Sequence, residues 1–240
     1  MKHALAFTQA FAIVVVMSLC SIAVAEKPVD RTPPGYKLAY TNNFRDADEA
    51  KGFQFSDAKA WRFSKEGKNG GGLELFGKSK YKTKVRSPFN IALIDGMKFG
   101  SFILEADIRQ TGREYGHRDM CVFFNFTDPS KFYYIHIAST PDAHAHNVFL
   151  VNDKPRKAIA DIPKQGIKWG QAWHRVRVER NIDTGDIKLF FDGKLIHHTK
   201  DKHFTSGMIG FGSFDDTGMV DNIRIWAPKA EKTDVKMFGK

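Results

Sequence analysis

From Tyr36 to Trp226 apolar and polar residues alternate with a period of two, in runs rich in Val, Ile, Phe and Tyr. Gly, Pro, Asn or Asp break the runs. Period-two spacing sends successive side chains to opposite faces of a strand, so each run predicts a strand with one covered face. The runs fall at 37–44, 60–64, 72–77, 82–87, 99–110, 119–127, 131–138, 147–152, 172–180, 186–191, 207–214 and 219–226. Thr184-Gly185, Asp192-Gly193 and Asp128-Pro129-Ser130 stand between neighbouring runs with the residues that tight turns require, which predicts hairpins. Only 45–52 (RDADEAKG) has a helical look, as a short turn closed by Gly52. About a dozen strands, each with an apolar face to cover, predict an all-β, two-sheet antiparallel sandwich.

The ends depart from this pattern. Lys2, an apolar run from Ala10 to Leu19 and the small-x-small triplet Ala23-Val24-Ala25 read as a signal peptide over 1–25. The apolar run is too short to span a bilayer, which takes about 20 residues, so stable membrane insertion is not expected. The reading is a secreted or periplasmic protein. Residues 26–35 read as a linker, 36–227 as one domain and 228–240 as a polar C-terminal tail.

Charge and cysteine content narrow the classes. The chain carries a formal charge of +10; removing 1–25 takes away Lys2 and no acid, leaving +9. A basic exported domain suits an anionic surface or an acidic polymer outside the cell better than nucleic acid, and the cations look spread among strands instead of gathered into one stripe. Of two cysteines only Cys121 survives processing, so no intramolecular disulfide is available and the core must supply the stability.

Several constellations could carry chemistry. In 99–110 Glu105, Asp107 and Arg109 share the face opposite Phe102, Leu104, Ala106 and Ile108, which predicts an open, charged sheet face. Asn125 sits among phenylalanines, and Tyr134 and His136 share a face of the next strand; rings beside amides, imidazoles and carboxylates suit a sugar, whose flat C–H side packs on a ring. The loop 139–147 holds Asp142, His144, His146 and Asn147, while His117 and Asp119 precede the aromatic hairpin. His-x-His on a strand would place both imidazoles on one side, for a transition metal or for acid–base work near neutral pH. On an acidic polysaccharide, Arg86 or Arg109 would pair with a carboxylate while Tyr134 or a histidine took a proton.

The stretches Phe99–Arg109, Ala172–Arg180, Asp186–Lys194, Gly207–Gly212 and Val220–Trp226 resemble the concanavalin A-like lectin/glucanase superfamily. Within it the order is similar to laminin-G-like domains and to the 3-keto-disaccharide hydrolase domain. The resemblance implies a jelly roll whose concave sheet faces carbohydrate. The catalytic E-x-D-x-x-E strand of its glucanases is not reproduced, because Glu105-Ala-Asp107 continues as Ile108-Arg109-Gln110. Phe214–Gly218 with Asp221-Asn222 resembles the calcium corner of lectin-like sandwiches and implies a structural Ca²⁺ on Asp221 and Asn43. The expectation is an exported carbohydrate-active domain with Glu105, Asp107, His136 and Tyr134 as catalytic candidates. Arg86, Arg109, Asn125, His117, Asp119, His144 and His146 are the substrate-binding candidates. The rivals are a non-catalytic lectin-like or laminin-G-like adhesion module and a polysaccharide lyase acting on an acidic glycan.

Overall fold

The computed structural model describes residues 32–239; the predicted signal peptide, 1–25, and the linker as far as residue 31 lie outside them. Seventeen strands follow in chain order: β1 (Lys37–Asn42), β2 (Phe53–Phe55), β3 (Trp61–Ser64), β4 (Gly72–Leu75), β5 (Asn90–Ile94), β6 (Met97–Phe99), β7 (Phe102–Gln110), β8 (Met120–Asp128) and β9 (Lys131–Ile137) form the first half. They continue with β10 (Asn147–Asn152), β11 (Lys157–Ala158), β12 (His174–Arg180), β13 (Asp186–Phe191), β14 (Lys194–Lys200), β15 (Met208–Ser213), β16 (Gly218–Ala227) and β17 (Ala230–Lys232). One sheet has eight strands, ordered β14-β13-β12-β7-β16-β4-β3 with β1 also on β16; the other has seven, ordered β11-β10-β9-β8-β15-β5-β2. Pairing is antiparallel throughout, and the all-β sandwich predicted from the alternation is the fold observed.

The inner faces interlock around Leu104, Ala106, Val176, Val178, Ile223 and Ile225 from the eight-stranded sheet and Val122, Phe124, Tyr133, Ile135, Ile209 and Phe211 from the seven-stranded one. The seven-stranded sheet is apolar on its outer face too. Phe123, Phe126, Phe132, Tyr134, Phe149 and Met208 form a second layer there, covered by Val85, Met237 and Phe238. This explains why every position from Met120 to Phe126 is buried: a strand covered on both faces has no polar side to show.

Four sequence expectations need correction. Residues 82–87 alternate but join no ladder; they enter a bend over 84–87, with Val85 packed on the outer aromatic layer. The tail is not simply polar: β17 pairs with β6, and Gln54 clamps it by donating to Val235 O and accepting from Met237 N. The helical turn over 45–52 is a single 3₁₀ turn at Glu49–Gly52. Strands β2, β5, β6, β11, β14 and β17 are not among the runs the sequence marks. The hairpin turns stand as predicted, with Asp192 and Gly193 both at positive φ (48° and 81°), the geometry of a two-residue turn between β13 and β14.

Candidate functional site

The two outer faces differ in kind. On the eight-stranded sheet, Asp107 is fully buried and accepts from Arg175 Nε (2.7 Å) and Nη2 (2.8 Å) and from Asn222 Nδ2 (2.7 Å). Glu105 accepts from Arg177 Nη1 at 2.8 Å and lies 3.4 Å from both Arg175 and Arg224. The carboxylates are thus neutralised by cations of the flanking strands β12 and β16. Burial pushes the Asp107 carboxyl up, but the Arg175 and Asn222 donors outweigh it and hold its pKa below the usual value.

On the other side, one end of the seven-stranded sheet opens into a cavity of about 290 Å³. Cys121 on β8 faces His136 on β9 across the ladder, so Asp119, two residues upstream, comes up beside that imidazole; Asp119 Oδ2 lies 3.8 Å from His136 Nε2. The turn after β15 brings Phe214 and Asp215 to the rim, the connection between β7 and β8 brings Tyr115 and His117, and the loop before β10 brings His144. Arg156, beyond β10, completes the wall. Its backbone N–H donates to Arg86 O (3.1 Å), which sets Arg86 alongside, and its guanidinium lies 4.3 Å from the Phe214 ring centroid. Phe89 closes the lining.

The floor is buried, and burial shifts its protons. Asp119 accepts from Cys121 Sγ–H (2.9 Å) and Ser213 Oγ–H (2.8 Å), with no Lys or Arg within ion-pair distance. Burial pushes its pKa up to about 8, so the carboxyl keeps its proton at neutral pH. Burial, then the Arg156 charge, pushes His136 down to about 3. Its Nδ1 accepts from His146 N–H at 3.2 Å, which leaves the neutral ring with its proton on Nε2, the nitrogen nearest Asp119. Other acids at or next to the cavity are engaged: Asp215 approaches Lys78 Nζ at 3.9 Å, Asp142 pairs with His117 Nε2 at 2.6 Å, and Asp216 accepts from Tyr115 O–H (2.8 Å) and Asp119 N–H (3.0 Å).

The structure therefore gathers five of the sequence candidates, Arg86, His117, Asp119, His136 and His144, and separates the rest. Glu105, Asp107 and Arg109 belong to β7, on the outer face of the opposite sheet, so they do not share a cleft with His136 and Tyr134. Alternation had put these carboxylates on an outward face, but Arg175 covers Asp107 and the face is not open there. Tyr134 lies in the aromatic layer, stacked on Phe149 at 5.0 Å, its hydroxyl buried without a hydrogen-bond partner. Asn125 is structural: at φ 44° in a β-bulge, it donates to Phe99 O (3.0 Å) and accepts from Arg180 Nε (3.1 Å). His146 does not stand beside His144. A turn in which His144 N–H donates to Asp142, and φ of 50° at His146, rotate His146 inward to meet His197 at 4.8 Å. Arg156, Phe89 and Tyr115 escaped the sequence reading, since nothing in their neighbourhoods marks a bend of chain that points inward.

Both Asp221 oxygens accept backbone N–H groups, from Asn222 (2.6 Å) and Asn69 (3.1 Å). Among the described residues no group of three or more His, Cys, Asp or Glu side chains is arranged to hold a metal ion.

No family model matches the chain, and no curated protein is similar to it in sequence. Solved structures share its fold. A Bacillus subtilis protein of unknown function with a galectin-like fold superposes with a TM-score of 0.54 at 13% identity, covering 82% of this chain and 100% of that one. The carbohydrate binding module CBM66 from Bacillus subtilis gives 0.52 at 16%, over 72% and 93%. A GlcNAcα1-4Gal-releasing endo-β-galactosidase from Clostridium perfringens gives 0.51 at 11%, over 82% of this chain and 64% of its own. The chain is similar to these in architecture: a concanavalin A-like, jelly-roll sandwich.

Proposed function

We propose that this domain binds a glycan in the cavity at the end of the seven-stranded sheet. One observation carries the reading: the rings of Phe89, Tyr115 and Phe214 line the same 290 Å³ space as His117, His144, Arg86, Arg156 and the Asp119–His136 pair. A sugar needs both, a flat apolar surface for its C–H side and directed donors and acceptors for its hydroxyls. The fold supports the reading by analogy, since two of the similar structures are named for carbohydrate binding or galactoside cleavage. Export through the predicted signal peptide belongs to the same proposal. The test is a glycan panel read by calorimetry with the wild type, Phe214→Ala and His117→Gln. Binding weakened at least tenfold in both folded variants supports it; no binding across the panel, or equal binding by the variants, overturns it.

A catalytic version rests on Asp119. A carboxyl that keeps its proton at neutral pH beside a fixed N–H donor can protonate a leaving glycosidic oxygen. That proton is half of either reaction: hydrolysis, as in the 3-keto-disaccharide hydrolases the sequence resembles, also needs a water to attack the anomeric carbon, and lyase-type elimination needs a base to take the C5 proton of the sugar. Asp119→Asn should then abolish turnover and spare binding. Binding with no product from any wild-type reaction would leave the lectin-like form of the reading.

A further inference from the structure

Between Gly77 and Phe89 the sequence reads KSKYKTKVRSP, and the structure turns its alternation into a ridge. Lys78, Lys80, Lys82, Lys84 and Arg86 are all exposed, while Ser79 and Ser87 are buried and Tyr81, Thr83 and Val85 half-buried beneath them. The inward residues explain the placement: Val85 packs on the outer aromatic layer and Tyr81 meets the Phe238 ring at 5.5 Å. The cations that looked dispersed in the sequence are thus gathered into a stripe. Eight peptide steps span at most about 28 Å, so the Cα atoms that carry neighbouring cations stand no more than about 7 Å apart, a spacing comparable with the screening length of about 8 Å at physiological salt.

Among the described residues few acids answer them: Asp57 lies near Lys80, and Asp128 and Asp153 lie near Lys84, none within ion-pair distance. Lys78 approaches Asp215 at 3.9 Å; among the described residues the other four make no ion pair. At the end of the ridge Arg86 meets Arg156, whose Nη2 donates only to the carbonyl of His144. The acids that might answer these guanidiniums are engaged elsewhere, Asp142 with His117, Asp216 with Tyr115 and Asp215, on the cavity rim, with Lys78 at 3.9 Å. A groove of about 290 Å³ follows Lys78–Thr83 and shares Phe89 with the cavity, so ridge and cavity form one path.

We propose that this path binds an acidic polysaccharide, with one anionic sugar in the cavity against Arg86 and Arg156 and the flanking units along Lys78–Lys84. The proposal rests on the glycan reading and adds the class of the chain. A carboxylate and a sulfate ester offer the guanidiniums the same anionic oxygens, and a row of exposed cations attracts a polyanion without ordering it, at a strength that falls with salt.

Calorimetry at 0.05 and 0.3 M salt tests it, with polygalacturonate, a sulfated galactan, neutral dextran and duplex DNA as probes. The proteins are wild type, Lys80→Gln/Lys82→Gln/Lys84→Gln and Arg156→Gln, each shown by circular dichroism to melt as the wild type does. Binding to an acidic polysaccharide should exceed that to dextran at least tenfold and weaken at least tenfold at high salt. The triple variant should lose tenfold on the polymer and less than twofold on its disaccharide, and Arg156→Gln should lose both. The carboxylated and sulfated arms identify the anion. Tight binding of neutral glycans that depends on Arg156 and ignores the ridge overturns this inference and leaves the glycan reading standing. DNA bound more tightly than any polysaccharide, through the ridge, overturns the class of polymer. Failure of every glycan overturns both.

Discussion

Three buried imidazoles should make this domain acid-sensitive, and the size of the effect follows from their surroundings. His136, His146 and His197 are pushed by burial from 6.5 to about 3, about 4 and about 3. A base whose folded pKa is depressed is neutral in both states above 6.5, so it costs nothing there. As pH falls below 6.5 the unfolded chain takes up protons that the folded one refuses, and stability is lost until the folded values near 3–4 are reached. Between pH 7 and 5 each imidazole costs about 2 kcal/mol at 1.36 kcal/mol per unit, roughly 6 for the three. Asp119 works in the other direction. With its folded pKa raised from 3.8 to about 8, the native state holds a proton that the unfolded chain lacks over this whole range, which returns about 3 kcal/mol on going from pH 7 to 5. The histidines win, and the net loss is about 3 kcal/mol. Urea denaturation at pH 7, 6 and 5 measures it. His197→Phe should cut the loss to about 1 kcal/mol and Asp119→Asn should raise it to about 6. If His197→Phe shows the same pH dependence as the wild type, the buried ring titrates freely and the reasoning fails.

Other outcomes can be checked on the same purified protein. Asp107→Asn removes the charge facing Arg175 in a buried bidentate pair and should cost about 3 kcal/mol in urea melts; a loss below about 1 kcal/mol would mean that the pair behaves as a surface bridge. Phe102→Ala, between the sheets, should cost about 3–5 kcal/mol through the cavity it leaves. Gly207→Ala should prevent native folding, because its Cβ would lie 2.2 Å from the Asn125 carbonyl carbon; a variant with wild-type melting behaviour would contradict this. A structural Ca²⁺ at Asp221 with Asn43 predicts that millimolar calcium raises Tm and that Asp221→Asn abolishes the rise; an unchanged Tm in the wild type removes the ion from the account.

Alternation reveals which side a residue takes, but not which sheet a strand joins. Strands β7, β12, β13 and β16 were legible because each keeps one polar face, whereas Asn90–Ile94 (NIALI), buried on both faces, gives no period to read. Segment 82–87 shows the converse: its alternation is real, yet the apolar side sits on an aromatic layer and the polar side meets solvent, so no ladder is needed. The site suffered in the same way. Glu105 and His136 both point outward from their strands, and only the topology, with β7 and β9 in different sheets, shows that they point apart. His144 and His146 looked paired because the strand rule was extended into a turn. Arg156 lies in a connection whose conformation is set by tertiary contacts, among them the N–H it donates to Arg86 O.

The two sheets meet the burden of an outward face by different means, and this difference locates the cavity. The eight-stranded sheet neutralises β7 with arginines from both flanks, leaving its carboxylates paired. The seven-stranded sheet is covered by apolar residues from the 78–89 segment and the tail, and that cover stops at the end where Asp119 and His136 lie. What remains there is a buried carboxyl and imidazole beside rings that none of the described residues caps. Their positions descend from the core: His197 packs His146, His146 N–H fixes the His136 ring, and His136 faces Asp119. A sugar entering the cavity would therefore meet groups already held in place, so little ordering would be charged against its binding. The basic ridge, by contrast, is long side chains on an exposed segment, suited to gathering a polymer from solution and poorly suited to discriminating its units. Selectivity should accordingly reside in the cavity and salt-dependent capture in the ridge, which is why the two are separable by mutation.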